Sequence, residues 1–126
     1  MADGRVLVVD DEPDHGLTVR AILARDAVEV DFAASAEEAL SLATQRIYQV
    51  AILDLRMPGR DGLSLMHALR RGQPSLRIII LTAYPSPTTC RTALTEGASA
   101  YLEKPCAPEA LRAMVTSLLA QAAKSP

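Results

Sequence analysis

Tryptophan is absent from this chain, and phenylalanine occurs once beside three tyrosines, so Ile, Leu, Val and Ala have to fill the core. No apolar stretch reaches transmembrane length, and the Met-Ala-Asp-Gly-Arg start lacks the apolar segment of a secretory signal. Cytoplasm is the expected compartment. Neither sign of charge dominates: the formal net charge is −2, which supplies no field suited to nucleic acid or to a membrane surface. Cysteine is scarce as well. Cys90 and Cys106 make no metal motif and read as small hydrophobes kept reduced. The two histidines, His15 and His67, and the Arg70-Arg71 pair are expected to be solvated. Neither a repeat nor a low-complexity tract is visible. What remains is an ordinary globular composition of 126 residues, 49% apolar and 22% charged. That bounds one domain over 1–126, with a core at about 5–119 and a tail or the start of a linker at 120–126.

The pattern along the chain alternates. Short apolar runs near 5–9, 28–32, 50–53, 77–81 and 98–102 are each followed by a helical stretch, near 14–25, 36–46, 63–71, 87–96 and 108–122. Such alternation predicts βαβ units around a parallel sheet. The last helix has the clearest period, with Leu111, Met114, Val115, Leu118 and Leu119 on one face. Ser35 with Glu38 three residues on forms a capping box, Pro87 and Pro108 suit first turns, and Gly97 suits a helix stop. Val6–Val9, Val50–Leu53 and Ile78–Leu81 are apolar throughout, as strands covered on both faces should be. The runs at 28–32 and 98–102 mix polar and apolar positions, which suits sheet edges. Second and fifth strands outside, first, third and fourth inside, is the flavodoxin-like order 2-1-3-4-5.

Four of the runs end on polar groups: Val6-Leu-Val-Val-Asp10-Asp11, Ile52-Leu-Asp54, Ile78-Ile-Ile-Leu-Thr82 and Tyr101-Leu-Glu-Lys104-Pro105. Ligands of open α/β sheets bind at the carboxyl ends of the strands. Asp10, Asp11 and Asp54 would meet there, and like charges at 4 Å repel by about 4 kcal/mol per pair at an effective dielectric near 20. The cluster must therefore take up a proton, recruit a lysine or bind a cation. Oxygen-only donors select a hard ion such as Mg²⁺. For any one of these aspartates a strand-end or N-cap role would suffice; the full set is hard to explain that way.

This set and its order closely resemble the receiver domain of bacterial two-component response regulators, over roughly 5–119. The resemblance implies a (βα)5 flavodoxin-like fold in which Asp54 is the phosphoacceptor and nucleophile. It implies Mg²⁺ held by Asp11, Asp54 and the backbone carbonyl of Arg56, with Asp10 acting through water. Lys104 and Thr82 would each take a phosphoryl oxygen, with the backbone beside Ala83 assisting. A cis Lys104–Pro105 bond would aim the lysine into the pocket. Thr82 and Tyr101 would form the switch, the hydroxyl moving toward the phosphoryl group and the ring turning inward behind it. The segment Leu55-Arg-Met-Pro58-Gly59 matches the turn that follows the acceptor in receivers. Implied partners are a sensor histidine kinase or phosphotransfer protein, an output domain (DNA-binding, for example) that this chain lacks, and a homodimer formed on phosphorylation. No direct nucleic-acid or membrane binding is expected, and no enzymatic role beyond self-phosphorylation and autodephosphorylation.

Departures from the commoner receiver pattern are Cys106, where relatives often have Phe, the bulky Arg56 and Tyr84, and the two prolines of Tyr84-Pro-Ser-Pro-Thr88. Other classes fit less well. A haloacid-dehalogenase-like phosphatase needs a second acid two residues after the nucleophile, and Arg56 stands there. A flavodoxin-like nucleotide or flavin binder wants a phosphate-cradling loop after the first strand, where this chain has Asp-Asp-Glu-Pro. An unphosphorylated interaction module would not require the acid set.

Overall fold

The computed structural model describes residues 4–24, 28–56 and 61–124. In chain order the elements are β1 (Gly4–Val9), α1 (Pro13–Leu23), β2 (Val28–Ala33), α2 (Ala36–Gln45), β3 (Val50–Leu53), α3 (Gly62–Gly72), β4 (Arg77–Thr82), α4 (Pro87–Thr95), β5 (Ala100–Glu103) and α5 (Pro108–Lys124). The strands pair in parallel in the order β2-β1-β3-β4-β5. This is the flavodoxin-like sheet expected from strand character.

Side-chain alternation splits the core into two layers. Leu7 and Val9 of β1 join Leu53, Ile78 and Ile80 beneath α2, α3 and α4. Val6 and Val8 face the other way, joining Val50, Ile52, Ile79 and Leu81 beneath α1 and α5. The central strands are apolar at every position because both of their faces are covered. Burying one Leu or Ile contributes about 1.5–3 kcal/mol, whereas a half-exposed ion pair such as Arg5–Glu29 contributes ~0–1 kcal/mol. The aliphatic layers therefore dominate stability. At the β2 edge, Asp31 accepts from the buried Tyr48 hydroxyl at 2.6 Å and from Arg46 at 2.7 Å. Burial alone would raise the Asp31 carboxyl; the Tyr48 and Arg46 hydrogen bonds outweigh it and hold the group below its ordinary value.

The helix starts have local causes. Ser35 Oγ accepts from the Glu38 N–H at 3.1 Å and caps α2, as its spacing predicts. Asp61 caps α3 through the Ser64 N–H at 2.8 Å, and Ser86 caps α4 through the Thr89 N–H at 3.0 Å. At the end of α4, Gly97 has φ 120°. The Ala98 N–H reaches the Ala93 carbonyl at 2.9 Å and the Gly97 N–H reaches Leu94 at 3.3 Å, the paired bonds of a Schellman stop. That stop consumes Ala98, which is why β5 begins at Ala100 and not at 98. At the other end of the chain, α5 continues helical to Lys124, through residues expected to be tail.

Strand register sets up the site. Val9 pairs with Leu53 across β1 and β3, so Asp10 and Asp54 follow on one rung. Thr82 pairs with Glu103 across β4 and β5, which places Lys104 just beyond. Among the described residues, no helix is long and apolar enough to cross a membrane.

Candidate phosphoacceptor site

Past the last rungs, the backbone keeps its ladder for one more residue. Asp10 N–H donates to Ala33 O at 3.1 Å, Asp54 N–H to Val9 O at 3.2 Å, and Lys104 N–H to Thr82 O at 2.7 Å. These bonds hold three candidate site residues in strand geometry at one sheet edge. Carboxylate oxygens of Asp10, Asp11 and Asp54 all lie within 4.8 Å of one another.

Lys104 ties them together. Its Nζ is 2.6 Å from Asp10 Oδ2 and 3.0 Å from Asp54 Oδ2. Burial alone would push the Lys104 ammonium down; the hydrogen bonds and attraction of Asp10 and Asp54 outweigh it, leaving it above its ordinary value. The Lys104–Pro105 peptide bond is cis, as the resemblance implies. The remaining carboxylate oxygens have assigned work too. Asp10 Oδ1 accepts from the Glu12 N–H at 2.9 Å, and Asp54 Oδ1 from the Arg56 N–H at 3.0 Å. Asp10 is 5% exposed and engaged at both oxygens, whereas Asp11 is exposed. One ammonium offsets only one of three carboxylates, so the edge keeps two negative charges of hard oxygen donors. That residue of charge and donor type fits a small divalent cation.

Thr82 is fully buried, and its Oγ1 accepts from the Tyr84 N–H at 3.0 Å. Ala83 beside it is exposed and adds no bulk. Above the edge, the Arg56 guanidinium sits over the Tyr84 ring at 4.3 Å from its centroid, joining the loops that follow β3 and β4. Tyr101 is half-buried on β5. Of the turn expected after the acceptor, Met57, Pro58 and Gly59 lie outside the described residues.

A family model described as the response regulator receiver domain matches residues 6–116. This chain belongs to that family. The receiver domain is 37% identical over 109 residues to the alginate biosynthesis transcriptional regulatory protein AlgB of Pseudomonas aeruginosa, a match covering 86% of this chain and 24% of the relative. It is 33% identical over 115 residues to the transcriptional regulatory protein ZraR of Escherichia coli O157:H7, covering 91% of this chain and 26% of that protein. The chain thus spans about a quarter of the length of these curated relatives. Among solved structures it is similar to a CheY-like receiver domain protein from Methanospirillum hungatei JF-1, with TM-score 0.89, 29% identity and coverage of 95% and 96%. NtrX from Brucella abortus, solved in complex with ATP, aligns with TM-score 0.90 and 29% identity over 98% of this chain and 28% of that one.

Several residues of the receiver domain stand elsewhere than expected. His15, expected in solvent, has Nδ1 3.2 Å from Lys104 Nζ and 3.6 Å from Asp10 Oδ2. The reason is that α1 begins at Pro13, directly after the acid pair, so its first turn stays over the strand ends. His67 pairs with Glu96 at 2.5 Å and links α3 to the end of α4. Arg70 is no wet helix end: its guanidinium donates to Gly97 O at 3.3 Å and Pro74 O at 3.5 Å, while Arg71 is exposed as expected. Cys90 and Cys106 are free and partly buried, and burial pushes the Cys106 thiol up.

Proposed function

We propose that this receiver domain accepts a phosphoryl group on Asp54 from a histidine kinase or phosphotransfer protein, and that the modification moves Thr82 and Tyr101. The observation that carries the reading is the contact of Lys104 with Asp10 and Asp54 at one sheet edge, beside the exposed Asp11. An Asp54 oxygen would form the new bond to phosphorus while the donor's P–N bond breaks, its electron pair staying on the imidazole nitrogen. The product is an acyl phosphate. Positioning and charge neutralisation do most of the work in such transfers. Lys104, already aimed at Asp54, would meet one phosphoryl oxygen, and the Thr82 hydroxyl would release the Tyr84 N–H to meet another. Asp11, Asp54 and the Arg56 carbonyl would hold Mg²⁺, with Asp10 one water away; bound there, the ion would neutralise phosphoryl charge. The phosphatase alternative lacks its second acid, since Arg56 occupies that position. The wider reading includes a cytoplasmic location and, in a longer protein, a transcriptional output like that in the names of AlgB and ZraR, with dimerisation on phosphorylation as one route to it.

A magnesium titration followed by NMR tests the ligand roles. Asp11 is exposed and, among the described residues, its carboxylate has no hydrogen-bond or ion-pair partner, while Asp10 is buried against Lys104. Asp11→Asn is expected to weaken Mg²⁺ binding about tenfold, ~1.4 kcal/mol, and Asp10→Asn by less. Equal or reversed losses would contradict the assignment.

The Arg56–Tyr84 stack supports a second expectation, on lifetime. A cation over a ring at an exposed site is worth ~0.5–1 kcal/mol, enough to restrict how water lines up behind the phosphoryl group. At fixed Mg²⁺, phosphorylated Arg56→Ala/Tyr84→Ala should lose its label about two- to fivefold faster than wild type. An unchanged decay would mean that the stack shields nothing.

A further inference from the structure

Tyr101 does not stand free on the edge strand. Its hydroxyl lies 2.6 Å from Thr89 Oγ1, and the Ser86 N–H donates to it at 3.4 Å. Thr89 Oγ1 is also 3.0 Å from Ser86 Oγ and 3.2 Å from Ser86 O, while the Thr89 N–H donates to Ser86 Oγ at 3.0 Å. Ser86 is the N-cap of α4 and Pro87 its first residue, so Thr89 stands at the third helical position. In a capping box the side chain at that third position reaches back to accept from the N-cap N–H. Here a threonine stands there, and the Ser86 N–H finds its acceptor outside the helix, at the Tyr101 hydroxyl on β5.

We propose that Tyr101 completes the capping box of α4 from outside the helix, and that Thr89 and Ser86 are the positioning residues that hold this tyrosine in the unphosphorylated arrangement. The inference rests on the receiver reading of Asp54, Thr82 and Tyr101 given above. Turning the ring inward withdraws the acceptor from the Ser86 N–H and the partner from the Thr89 hydroxyl. The start of α4 and the switch position are then one bistable element. Phosphorylation must loosen the first turn of α4 to move the tyrosine, and anything that loosens that turn frees the tyrosine. Lost hydrogen bonds of this kind shift an equilibrium about three- to tenfold.

The test uses the whole chain with Mg²⁺ and fluoroberyllate, a phosphoryl mimic that favours the switched arrangement. Thr89→Val keeps the volume and removes the hydroxyl; it is expected to bind fluoroberyllate about three- to tenfold more tightly. Thr89→Ser should restore wild-type affinity, and Tyr101→Phe/Thr89→Val should gain no more than the larger single change. Independently of the mimic, the Ser86 amide should exchange with solvent faster in Tyr101→Phe than in wild type. Unchanged or weaker binding by Thr89→Val, failure of the serine rescue, additive singles, or an unchanged Ser86 amide would each overturn the proposal. Wild-type protein that binds no fluoroberyllate at all would overturn the Asp54 reading itself.

Discussion

Asp54→Asn is expected to take up no phosphoryl group from acetyl phosphate and Mg²⁺ under conditions that label the wild type. The loss should be complete, because the amide oxygen is a far weaker nucleophile and no other carboxylate shares its position. Asp10 is 5% exposed, so its oxygens are closed to an incoming phosphoryl group. Asp11 stands after the end of β1, outside the reach of Lys104's two described carboxylate contacts. Among the described residues, only Asp54 combines partial exposure, a contact to Lys104 and a place at the end of a central strand. The mutant should still fold, since asparagine keeps the shape and can hold the Arg56 N–H that Asp54 Oδ1 now accepts. Intact-mass measurement after incubation reads the result directly. A phosphoryl adduct retained on Asp54→Asn would move the acceptor elsewhere.

The second large effect is structural and falls on Gly62. A Cβ at this first residue of α3 would lie 2.3 Å from the Asp54 carbonyl oxygen, 2.9 Å from Leu55 Cα and 3.1 Å from the Asp54 carbonyl carbon. All three are backbone atoms of Asp54 and Leu55, so no side chain can swing aside to relieve the contact. The Gly62 N–H also closes that loop on Leu55 O at 3.0 Å. Overpacking typically costs about 1–3 kcal/mol, and here the upper end is expected. Gly62→Ala should therefore lower unfolding stability by about 2–3 kcal/mol and slow the labelling proposed for Asp54, since relief requires the Asp54 backbone itself to shift. By contrast, Gly72→Ala at the end of the same helix meets nothing within 4 Å and should be close to neutral. Denaturant titration of the two variants side by side checks the contrast. Equal midpoints would show that the loop yields at no cost.

The strand ends of this chain could be read before the structure because the carboxyl-edge rule converts apolar runs into positions. Once Val6–Val9 and Val50–Leu53 were adjacent central strands, Asp10 and Asp54 had to be neighbours, and the register pairs Val9 with Leu53. Edge and centre were legible for the same reason, since mixed polarity marks β2 and β5 as covered less completely. What the sequence did not disclose were contacts that depend on where a helix begins. His15 looked like any surface histidine: a helix from about residue 14 puts it in the first turn, but nothing local says that its ring turns toward Lys104 and Asp10. Arg70 looked like a solvated cation because nothing local marks the Gly97 carbonyl as its acceptor across the fold. The third-helix cap at Asp61 has a readable signal, an Asp just before a helical period. Thr89 and Ser86 had one too: a Ser-Pro start with a hydroxyl residue three positions after the cap. Their link to Tyr101 had none, because a strand residue twelve positions on leaves no periodic trace in the helix.

The ammonium of Lys104 and the carboxylate of Asp10 touch across 94 positions of chain, from the first strand to just past the last. A ribosome makes the acids first and their counter-charge 94 positions after Asp10. Until β5 has emerged and docked, Asp10, Asp11 and Asp54 have no lysine among them, and closing so long a segment is slow relative to local helix formation. Partly made chains and chains cut before Lys104 therefore carry the acids without the group that draws Asp10 and Asp54 together. The acid edge gains its counter-charge only once β5 has docked, so the assembled pocket itself reports that folding has reached that strand.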